Sequence, residues 1–446
     1  MDTPICDFVQ AYQKKAALRL HMPGHKGRSF LGMESLDITE IQGADELYHA
    51  RGIIRKSEEN ASALFGSGKT LYSAEGSSLC IRAMVHLALL HAKSSGAAPV
   101  ILAGRNAHKA FLSACAFLDA DAAWLWPDKQ ESLISCEITP DGLEKALSAL
   151  PQKPAAVYVT SPDYLGSTLD ISALAQVCHA RGRPLLVDNA HGAYLRFLPR
   201  DRHPITLGAD LCCDSAHKTL PVLTGGAYLH FGKAAPGDML ENGERALALF
   251  ASSSPSYLIL QSLDRCNAYL AEAYPQRLKI FIPKIASLKE KLIGHGYALA
   301  GSEPLKLTIA PKAFGYTGDE LHDALRRKNM ECEFSDPDFL TAMLSPENGC
   351  VHLARLESTL LSVPPRPPIL SLPPPPPRPE KALSIRDALL SPSREMPVEQ
   401  TAGRVFADAQ VGCPPCIPII MSGERIDQNA IQCFRYYGIE KVRVTA

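Results

Sequence analysis

The feature that most constrains the fold of this chain is the regular alternation of short apolar runs with helical patterns between about residues 60 and 235. The apolar runs predict strands at Thr70–Ala74, Val100–Gly104, Ala122–Trp126, Ala155–Thr160, Pro184–Asp188, Asp210–Asp214 and Gly226–Phe231. The patterns between them predict helices at Ser78–Ala92, His108–Leu118, Asp141–Leu150 and Ile171–Arg181. Strands separated by helices of this length are typical of βαβ units, so we predict an α/β fold with a mainly parallel sheet.

The remainder of the chain predicts a second, smaller domain. Residues 256–296 have the pattern of a long helix, in which we expect Pro275 and Pro283 to cause breaks. The pattern after residue 300 is mixed, which indicates a small α+β domain. We therefore expect an N-terminal arm at 1–60, a large domain at 61–296 and a small C-terminal domain at 297–446.

A proline-rich segment interrupts the expected C-terminal domain at residues 364–379. Ten of these 16 residues are proline. Proline lacks a backbone N–H group and has a fixed φ, so such a segment favours extended polyproline II structure. We interpret it as a surface connector or insertion, and the alternative is a ligand for an aromatic groove.

The charge balance excludes several classes of partner. The chain has 46 Lys and Arg residues against 47 Asp and Glu residues, which gives a net charge of -1. This balance argues against broad electrostatic binding to nucleic acid or to an anionic membrane. No apolar run approaches the roughly 18 residues that a membrane-spanning helix needs, and the N-terminus lacks the pattern of a secretory signal. We expect a soluble, cytoplasmic protein.

The cysteines favour a reduced, intracellular protein. Thirteen cysteines are scattered along the chain, which differs from the dense disulfide framework of small secreted domains. Cys413 and Cys416 have the spacing of a redox or zinc-binding pair, but no second pair at matching spacing lies nearby. A plain loop is therefore the favoured interpretation of that pair, and no metal site is predicted.

Polar side chains follow several of the predicted strands, at the edge of the sheet where ligands bind in open α/β folds. Gly76-Ser77-Ser78 comes directly after the first strand and opens a helix. A small-residue turn at a helix N-terminus presents backbone N–H groups to a phosphate. The alternative is a plain serine N-cap with no ligand.

Three further residues at this edge have the chemistry of a cofactor site. Asp188 ends a strongly apolar strand, where a carboxylate needs a cationic partner. The alternative is that this partner is another side chain, in a purely structural ion pair. Lys218 follows a later strand and can act as a nucleophilic amine, although most lysines are merely solvated. His108 begins a helix and can stack on a ring, or it can be a histidine without a ligand. Taken together and in this order along the chain, the small-residue turn, His108, Asp188 and Lys218 indicate a cofactor site more specifically than any one of them does.

At these residues the sequence resembles the fold-type-I pyridoxal-phosphate enzymes, and within them the bacterial ornithine/lysine/arginine decarboxylase family. The resemblance lies in short segments that begin at His21, Gly43, Asn106, Val187, Asp214 and Ser252, and it returns more weakly at Glu331–Asp336 and Pro414–Glu424. It implies an aminotransferase-like, three-layer α/β/α large domain that binds pyridoxal 5'-phosphate.

The resemblance also implies a role for each site residue. Lys218 would hold the cofactor through its amine and later protonate the product, and Asp188 would pair with the pyridinium nitrogen. His108 would stack on the ring, and His191 would lie close to it. Four residues would hold the phosphate: Ser77, Ser78, Ser215 and His217. Ser253 or Ser254 would reach the phosphate of a neighbouring subunit, because the family resembles obligate homodimers with shared sites.

The implied activity is decarboxylation of lysine, arginine or ornithine, which feeds polyamine synthesis or acid tolerance. The distal cation of such a substrate needs a carboxylate, and the candidates are Glu333, Asp336, Asp45 and Glu46. The rival functions are an aminotransferase or another lyase on the same fold, and a degenerate homologue without catalysis. The sequence departs from the family pattern at Asn189, where an acid is usual, at Ala110, where serine is usual, and in the Glu75–Ser78 turn.

Overall fold

The computed structural model describes residues 1–127, 132–409 and 417–446. The α-helices are α1 (Pro4–Lys14), α2 (Ile53–Phe65), α3 (Gly76–Ser95), α4 (Lys109–Leu118), α5 (Pro140–Ala149), α6 (Ile171–Ala180), α7 (Ala216–Thr219), α8 (Gly237–Ala248), α9 (Tyr257–Glu272), α10 (Tyr274–His295), α11 (Gly318–Arg326), α12 (Gly349–Leu361), α13 (Ile385–Leu390) and α14 (Gln428–Tyr436). The strands are β1 (Lys69–Ser73), β2 (Ala98–Gly104), β3 (Asp121–Leu125), β4 (Pro154–Thr160), β5 (Leu185–Asp188), β6 (Leu211–Asp214), β7 (Ala227–Phe231), β8 (Ala298–Ala300), β9 (Lys306–Ala310), β10 (Phe334–Ser335), β11 (Leu340–Met343), β12 (Ser393–Pro397) and β13 (Lys441–Thr445).

The chain forms two compact units, each built from several stretches of sequence. The first unit contains Met1–Ala98, Gln152–Val159 and Ile171–Arg277. The second unit contains Pro99–Pro151, Thr160–Asp170 and Leu278–Ala446. The domain ranges expected from the sequence stay a prediction.

Strands of the first unit lie in the order β1-β7-β6-β5-β4. β5 and β6 are parallel, whereas β7 is antiparallel to both β6 and β1. β1, β5 and β6 therefore run in the same direction. The short apolar runs of these strands are buried, as at Leu186, Val187 and Cys212, and α3 packs against β6 and β7. All seven strands predicted between residues 60 and 235 are present, with small differences at their ends.

The second unit contains the parallel pair β2–β3, an antiparallel sheet in the order β10-β11-β9-β8, and the antiparallel pair β12–β13. The core beside β13 includes Phe406, Phe434 and Val444, which are fully buried. The proline-rich segment lies in this unit and contains no helix or strand. Its backbone is held at Ile369, whose N–H donates to the carbonyl of Lys312 at 2.9 Å.

The expected break at Pro283 is wrong. The long helical region is interrupted only at Ala273, and Pro283 lies inside α10. Pro275 is in the first turn of α10, where its missing N–H group has no intrahelical partner to lose. Proline in a helix interior costs about 3 kcal/mol. The buried stripe of Leu278, Phe281, Ile285 and further residues offsets that cost.

The cysteines of the described ranges are free thiols, and most of them are buried. Cys413 and Cys416 lie outside the described residues. Within those same ranges, none of the helices combines the length and the apolar character that crossing a membrane requires.

A buried ion pair joins two parts of the second unit that are far apart in sequence. Arg105, just after β2, donates two hydrogen bonds to Glu424, at 2.9 and 2.6 Å. Both side chains are almost fully buried. The guanidinium also lies over the rings of Trp124 and Trp126, at 5.2 and 4.7 Å from the ring centres. Glu424 thereby fixes the chain after β2 to the C-terminal part of this unit.

We expect Glu424→Gln to lower the free energy of unfolding by about 3 kcal/mol, because it leaves a buried guanidinium without its counterion. The measurement is the midpoint of urea-induced unfolding. Glu399→Gln is the matched control, since the pair of Glu399 with Arg435 is exposed at a similar distance of 3.1 Å, and its effect should stay below about 1 kcal/mol. Equal shifts in the two variants would contradict the structural role of the buried pair.

Candidate active site

The carboxyl ends of β1, β5 and β6 meet at one edge of the sheet, because these strands run in the same direction. Ser77 and Ser78 lie in the first turn of α3, which follows β1. Asp188 is the last residue of β5, and His191 lies in the loop after it. The segment after β6 carries Ser215, His217 and Lys218. Seven of the residues predicted from the sequence therefore lie at the edge where open α/β sheets bind ligands.

Asp188 is a buried carboxylate that is held by neutral donors. Its Oδ2 accepts a hydrogen bond from the hydroxyl of Tyr158 at 3.0 Å, and its Oδ1 accepts one from the N–H of Ala190 at 3.1 Å. Only 2% of Asp188 is exposed. Neutral donors fix the carboxylate in place and leave its negative charge for a cationic ligand.

Tyr158 is a member of this site that the sequence did not single out. It is fully buried in the middle of β4, next to β5 in the sheet. A tyrosine within the apolar run Ala155–Val159 was the available signal, because a buried tyrosine hydroxyl usually needs a hydrogen-bond partner. The pattern could not show that the partner is Asp188.

Lys218 lies in the short helix α7, which begins directly after β6. Its Nζ is 3.1 Å from Nε2 of His191, which comes from the loop after β5. Lys218 is half-buried and His191 is buried. An amine and an imidazole at hydrogen-bond distance can exchange a proton, which is a property that suits acid–base chemistry.

The turn that opens α3 has the features of an anion site. Gly76 has a φ of +72°, and a Cβ at this position would meet no atom within 4 Å, so open space lies beside the turn. Ser215 Oγ donates to Ser77 Oγ at 2.7 Å, which links the first turn of α3 to the segment after β6. The carboxylate of Glu75 accepts from the N–H of Ser252 at 2.7 Å instead of capping the helix. Uncapped N–H groups of the first turn are the groups that bind phosphate.

The other two phosphate candidates differ in their surroundings. Ser78 lies in the first turn of α3 and is half-buried. Nδ1 of His217 is 3.0 Å from the carbonyl oxygen of Gly226. Since a carbonyl only accepts, Nδ1 of His217 carries the proton in that contact.

The residue expected to reach a neighbouring subunit, Ser254, is exposed, and its N–H donates to Ser252 Oγ at 3.2 Å.

His108 lies in the second unit, as the N-cap of α4. Its Nδ1 accepts from the N–H of Ala110 at 3.1 Å. The cap fixes the orientation of the imidazole, because a backbone N–H group can only donate.

Two candidates for binding the substrate cation also lie in the second unit. Glu333 is exposed, accepts from the hydroxyl of Tyr164 at 2.9 Å and lines a cavity of about 440 Å³. Asp336 accepts from the N–H groups of Asp338 and Phe339, both at 2.7 Å. Burial raises the pKa of Asp336 to about 7.

The candidates from the N-terminal arm have local partners. Glu46 is exposed and pairs with His49 at 3.2 Å. Asp45 accepts from backbone N–H groups at the start of α2, including those of Gly52 and Ile54. The carboxylate of Asp45 is therefore committed to holding that helix end.

A family model described as the major domain of Orn/Lys/Arg decarboxylases matches residues 3–300, which is more than half of the chain. The chain belongs to this family. The resemblance given by the sequence motifs is confirmed, and so is the expected activity, a decarboxylase of a basic amino acid with pyridoxal 5'-phosphate as cofactor.

Relatives along almost the whole chain agree with this assignment. The uncharacterized protein YaaO of Bacillus subtilis is 30% identical over 97% of this chain and 93% of its own length. The arginine decarboxylase of Halalkalibacterium halodurans is 29% identical with the same coverage. The solved structure of lysine decarboxylase A from Pseudomonas aeruginosa superimposes with a TM-score of 0.80 at 17% identity, covering 97% of this chain and 75% of that one. This likeness confirms the fold type.

We expect Ser77→Ala to weaken binding of pyridoxal 5'-phosphate about ten- to a hundredfold, because a hydrogen bond to a charged group contributes about 1.5–3 kcal/mol. The measurement is a titration of the apoenzyme with the cofactor, followed by absorbance. Ser94→Ala is the matched control, since Ser94 lies near the other end of α3 and its hydroxyl donates to the carbonyl of His91. An unchanged affinity of Ser77→Ala would contradict the prediction that Ser77 binds the phosphate.

Proposed function

We propose that this decarboxylase holds pyridoxal 5'-phosphate at the edge formed by the ends of β1, β5 and β6, with Lys218 and Asp188 as its two principal residues. The observation that supports the proposal best is the 3.1 Å contact between Lys218 Nζ and His191 Nε2, three residues after the buried Asp188. A buried imidazole and a buried carboxylate beside an amine at one sheet edge form an arrangement that costs stability and suits catalysis.

The chemistry of these side chains matches the three functional groups of the cofactor. A lysine amine reacts with an aldehyde, a carboxylate pairs with a protonated ring nitrogen, and hydroxyls at a helix N-terminus bind a phosphate. The open space beside Gly76 leaves room for the phosphate. When bound, the cofactor supplies the electron sink that makes loss of the carboxylate possible.

In this proposal Tyr158 and Ala190 hold the carboxylate of Asp188, which keeps its charge toward the ring nitrogen. His191 holds or takes a proton at Nε2, and Lys218 Nζ delivers a proton to the substrate carbon after carbon dioxide has left. His108, whose orientation is fixed by its cap on α4, stacks on the ring. The residues provide orientation and proton transfer.

The phosphate is held by Ser77, Ser78, Ser215 and His217. We further propose a cytoplasmic homodimer in which the exposed Ser254 reaches the phosphate of the neighbouring subunit. The expected domain ranges, with the cofactor-binding domain at 61–296, belong to the same proposal. The product amine would enter polyamine synthesis.

We propose arginine as the first substrate to assay, because relatives that match nearly the whole chain are named arginine decarboxylases. Glu333, Asp336 and Glu46 are the carboxylates proposed to bind the distal cation. Glu333 has the best support among them, since it is exposed and lines a cavity. The assay supplies arginine, lysine and ornithine separately and measures both carbon dioxide and the amine. A keto-acid product instead would favour an aminotransferase.

We expect Lys218→Ala to abolish the covalent adduct that borohydride fixes on the wild type, and to reduce kcat by a factor of at least about a thousand. Lys233→Ala is the control, because Lys233 is exposed. Mass spectrometry of the reduced protein locates the adduct. An adduct that persists in Lys218→Ala would refute the role of Lys218, and a wild type that forms none would support the non-catalytic alternative.

We expect Asp188→Asn to lower kcat roughly a hundredfold or more, because it removes the charge aimed at the ring nitrogen. Tyr158→Phe should have a smaller effect, since the N–H of Ala190 and the thiol of Cys213 still donate to the carboxylate. Steady-state kinetics at saturating cofactor measure both. A larger loss in Tyr158→Phe than in Asp188→Asn would contradict this order of roles.

A further inference from the structure

Below the proposed site lies a cluster of buried polar residues that has no role so far. Asp214, at the end of β6, is surrounded by His203, His230 and Asn189, and all four residues are fully buried. His203 Nε2 is 2.9 Å and His230 Nε2 is 3.2 Å from Asp214 Oδ2. Asn189 Nδ2 donates to Asp214 Oδ1 at 2.7 Å. The carboxylate is the centre of this cluster.

Proton positions in the cluster follow from its outer partners. The N–H of Ile205 donates to Nδ1 of His203 at 3.4 Å, so the proton of a neutral His203 is on Nε2, which donates to Asp214. Thr70 Oγ1 lies 2.8 Å from Nδ1 of His230. With Thr70 as donor, Nε2 of His230 also donates to Asp214. Both imidazoles therefore have a partner at each ring nitrogen, and their Nε2 atoms face the same carboxylate oxygen.

The charge state of Asp214 agrees with this network. Burial alone would raise the pKa of Asp214, but the opposing influence of His203 and His230 outweighs burial and holds that pKa well below its usual range. Burial lowers the pKa of His230. The thiol of Cys212 also faces Asp214, at 3.6 Å from Oδ1, and burial raises its pKa well above the usual value. Asp214 is thus an ionised carboxylate that is surrounded by hydrogen-bond partners.

The cluster joins the two loops that carry the proposed site. Asp214 directly precedes Ser215 and lies four residues before Lys218, whereas Asn189 directly follows Asp188. The backbone supports the same connection, since the N–H of Asn189 donates to the carbonyl of Cys213 at 3.0 Å. A Cβ at Gly192 would come within 1.9 Å of Asn189 Oδ1, so the loop after β5 is packed tightly around this side chain.

We propose that Asp214 and Asn189 form a positioning pair, whose hydrogen bond sets the distance between Asp188 and Lys218 that one bound cofactor ring requires. This inference rests on the proposed roles of those two residues. Neither member of the pair touches the reacting atoms. His203 and His230 hold the carboxylate of Asp214, and the amide of Asn189 connects the loop after β5 to this carboxylate. The spacing between Asp188 and Lys218 follows from that connection.

The pair is tested by exchanging the amide of Asn189 and the carboxylate of Asp214 between the two positions. An acid is usual at position 189 in the family, but in this chain Asn189→Asp places a second carboxylate beside Asp214. We therefore expect the affinity for pyridoxal 5'-phosphate to fall at least tenfold at pH 8. The loss should diminish as the pH is lowered, because one proton shared by the two carboxylates restores a hydrogen bond. The double variant Asn189→Asp/Asp214→Asn again has one acid and one amide, and it should recover most of the affinity. Cofactor titration, circular dichroism of the bound cofactor and kcat are the readouts.

Asn267→Asp is the matched control. Asn267 is also fully buried in the first unit and donates from Nδ2, to the carbonyl of Ser57 and the hydroxyl of Tyr72. Both Asn→Asp variants should lower the midpoint of unfolding of the apoprotein. Only Asn189→Asp should lower the cofactor affinity of the folded protein and change the circular dichroism of the bound cofactor.

Two results would overturn the proposal: equal effects of the two Asn→Asp variants on cofactor affinity, or a double variant no better than Asn189→Asp. If Asn189→Asp fails to fold, Asn189→Ala removes the donor without adding a charge and must show the same selective loss of affinity. The proposed function fails separately, through a wild type without a cofactor adduct at Lys218.

Discussion

The common direction of β1, β5 and β6 is the constraint on which the site depends. It brings a helix N-terminus, a carboxylate and an amine to one edge of a sheet, although these groups are distant in sequence. Each group would be ordinary by itself. Only strand pairing, which is governed by burial of short apolar runs, places them at the same edge of the sheet.

The buried polar groups show how an apolar sheet can carry charge. A carboxylate loses several kcal/mol of solvation on burial unless donors replace the water. Asp188 has Tyr158, a backbone N–H and the thiol of Cys213 as partners, and Asp214 has two imidazoles, an amide and the thiol of Cys212. The two sets of hydrogen-bond partners have different effects on the site. The donors of Asp188 leave its charge for a ligand, whereas one donor to Asp214, the amide of Asn189, comes from the loop after β5 and connects that loop to the end of β6.

Much of the fold could be predicted because the apolar runs are short, clear and separated by helical patterns. Where the prediction failed, a local rule was outweighed by packing. Pro283 is a helix breaker by its covalent structure, yet α10 continues through it because its apolar face is buried. The side-chain partners in the site were less predictable. That Tyr158 donates to Asp188 depends on the adjacency of β4 and β5, which no spacing along the chain expresses.

The sequence by itself determined the α/β class, the family and the residue types able to hold a phosphate, a ring nitrogen and an aldehyde, because periodicity and motifs are local properties of the chain. The tertiary structure alone decided which of these groups meet: Lys218 with His191, Ser77 with Ser215, and Asn189 with Asp214. Those pairs come from different strands, and strand order and register arise from burial summed over the whole sheet. Contacts of this kind exist only once that sheet has formed.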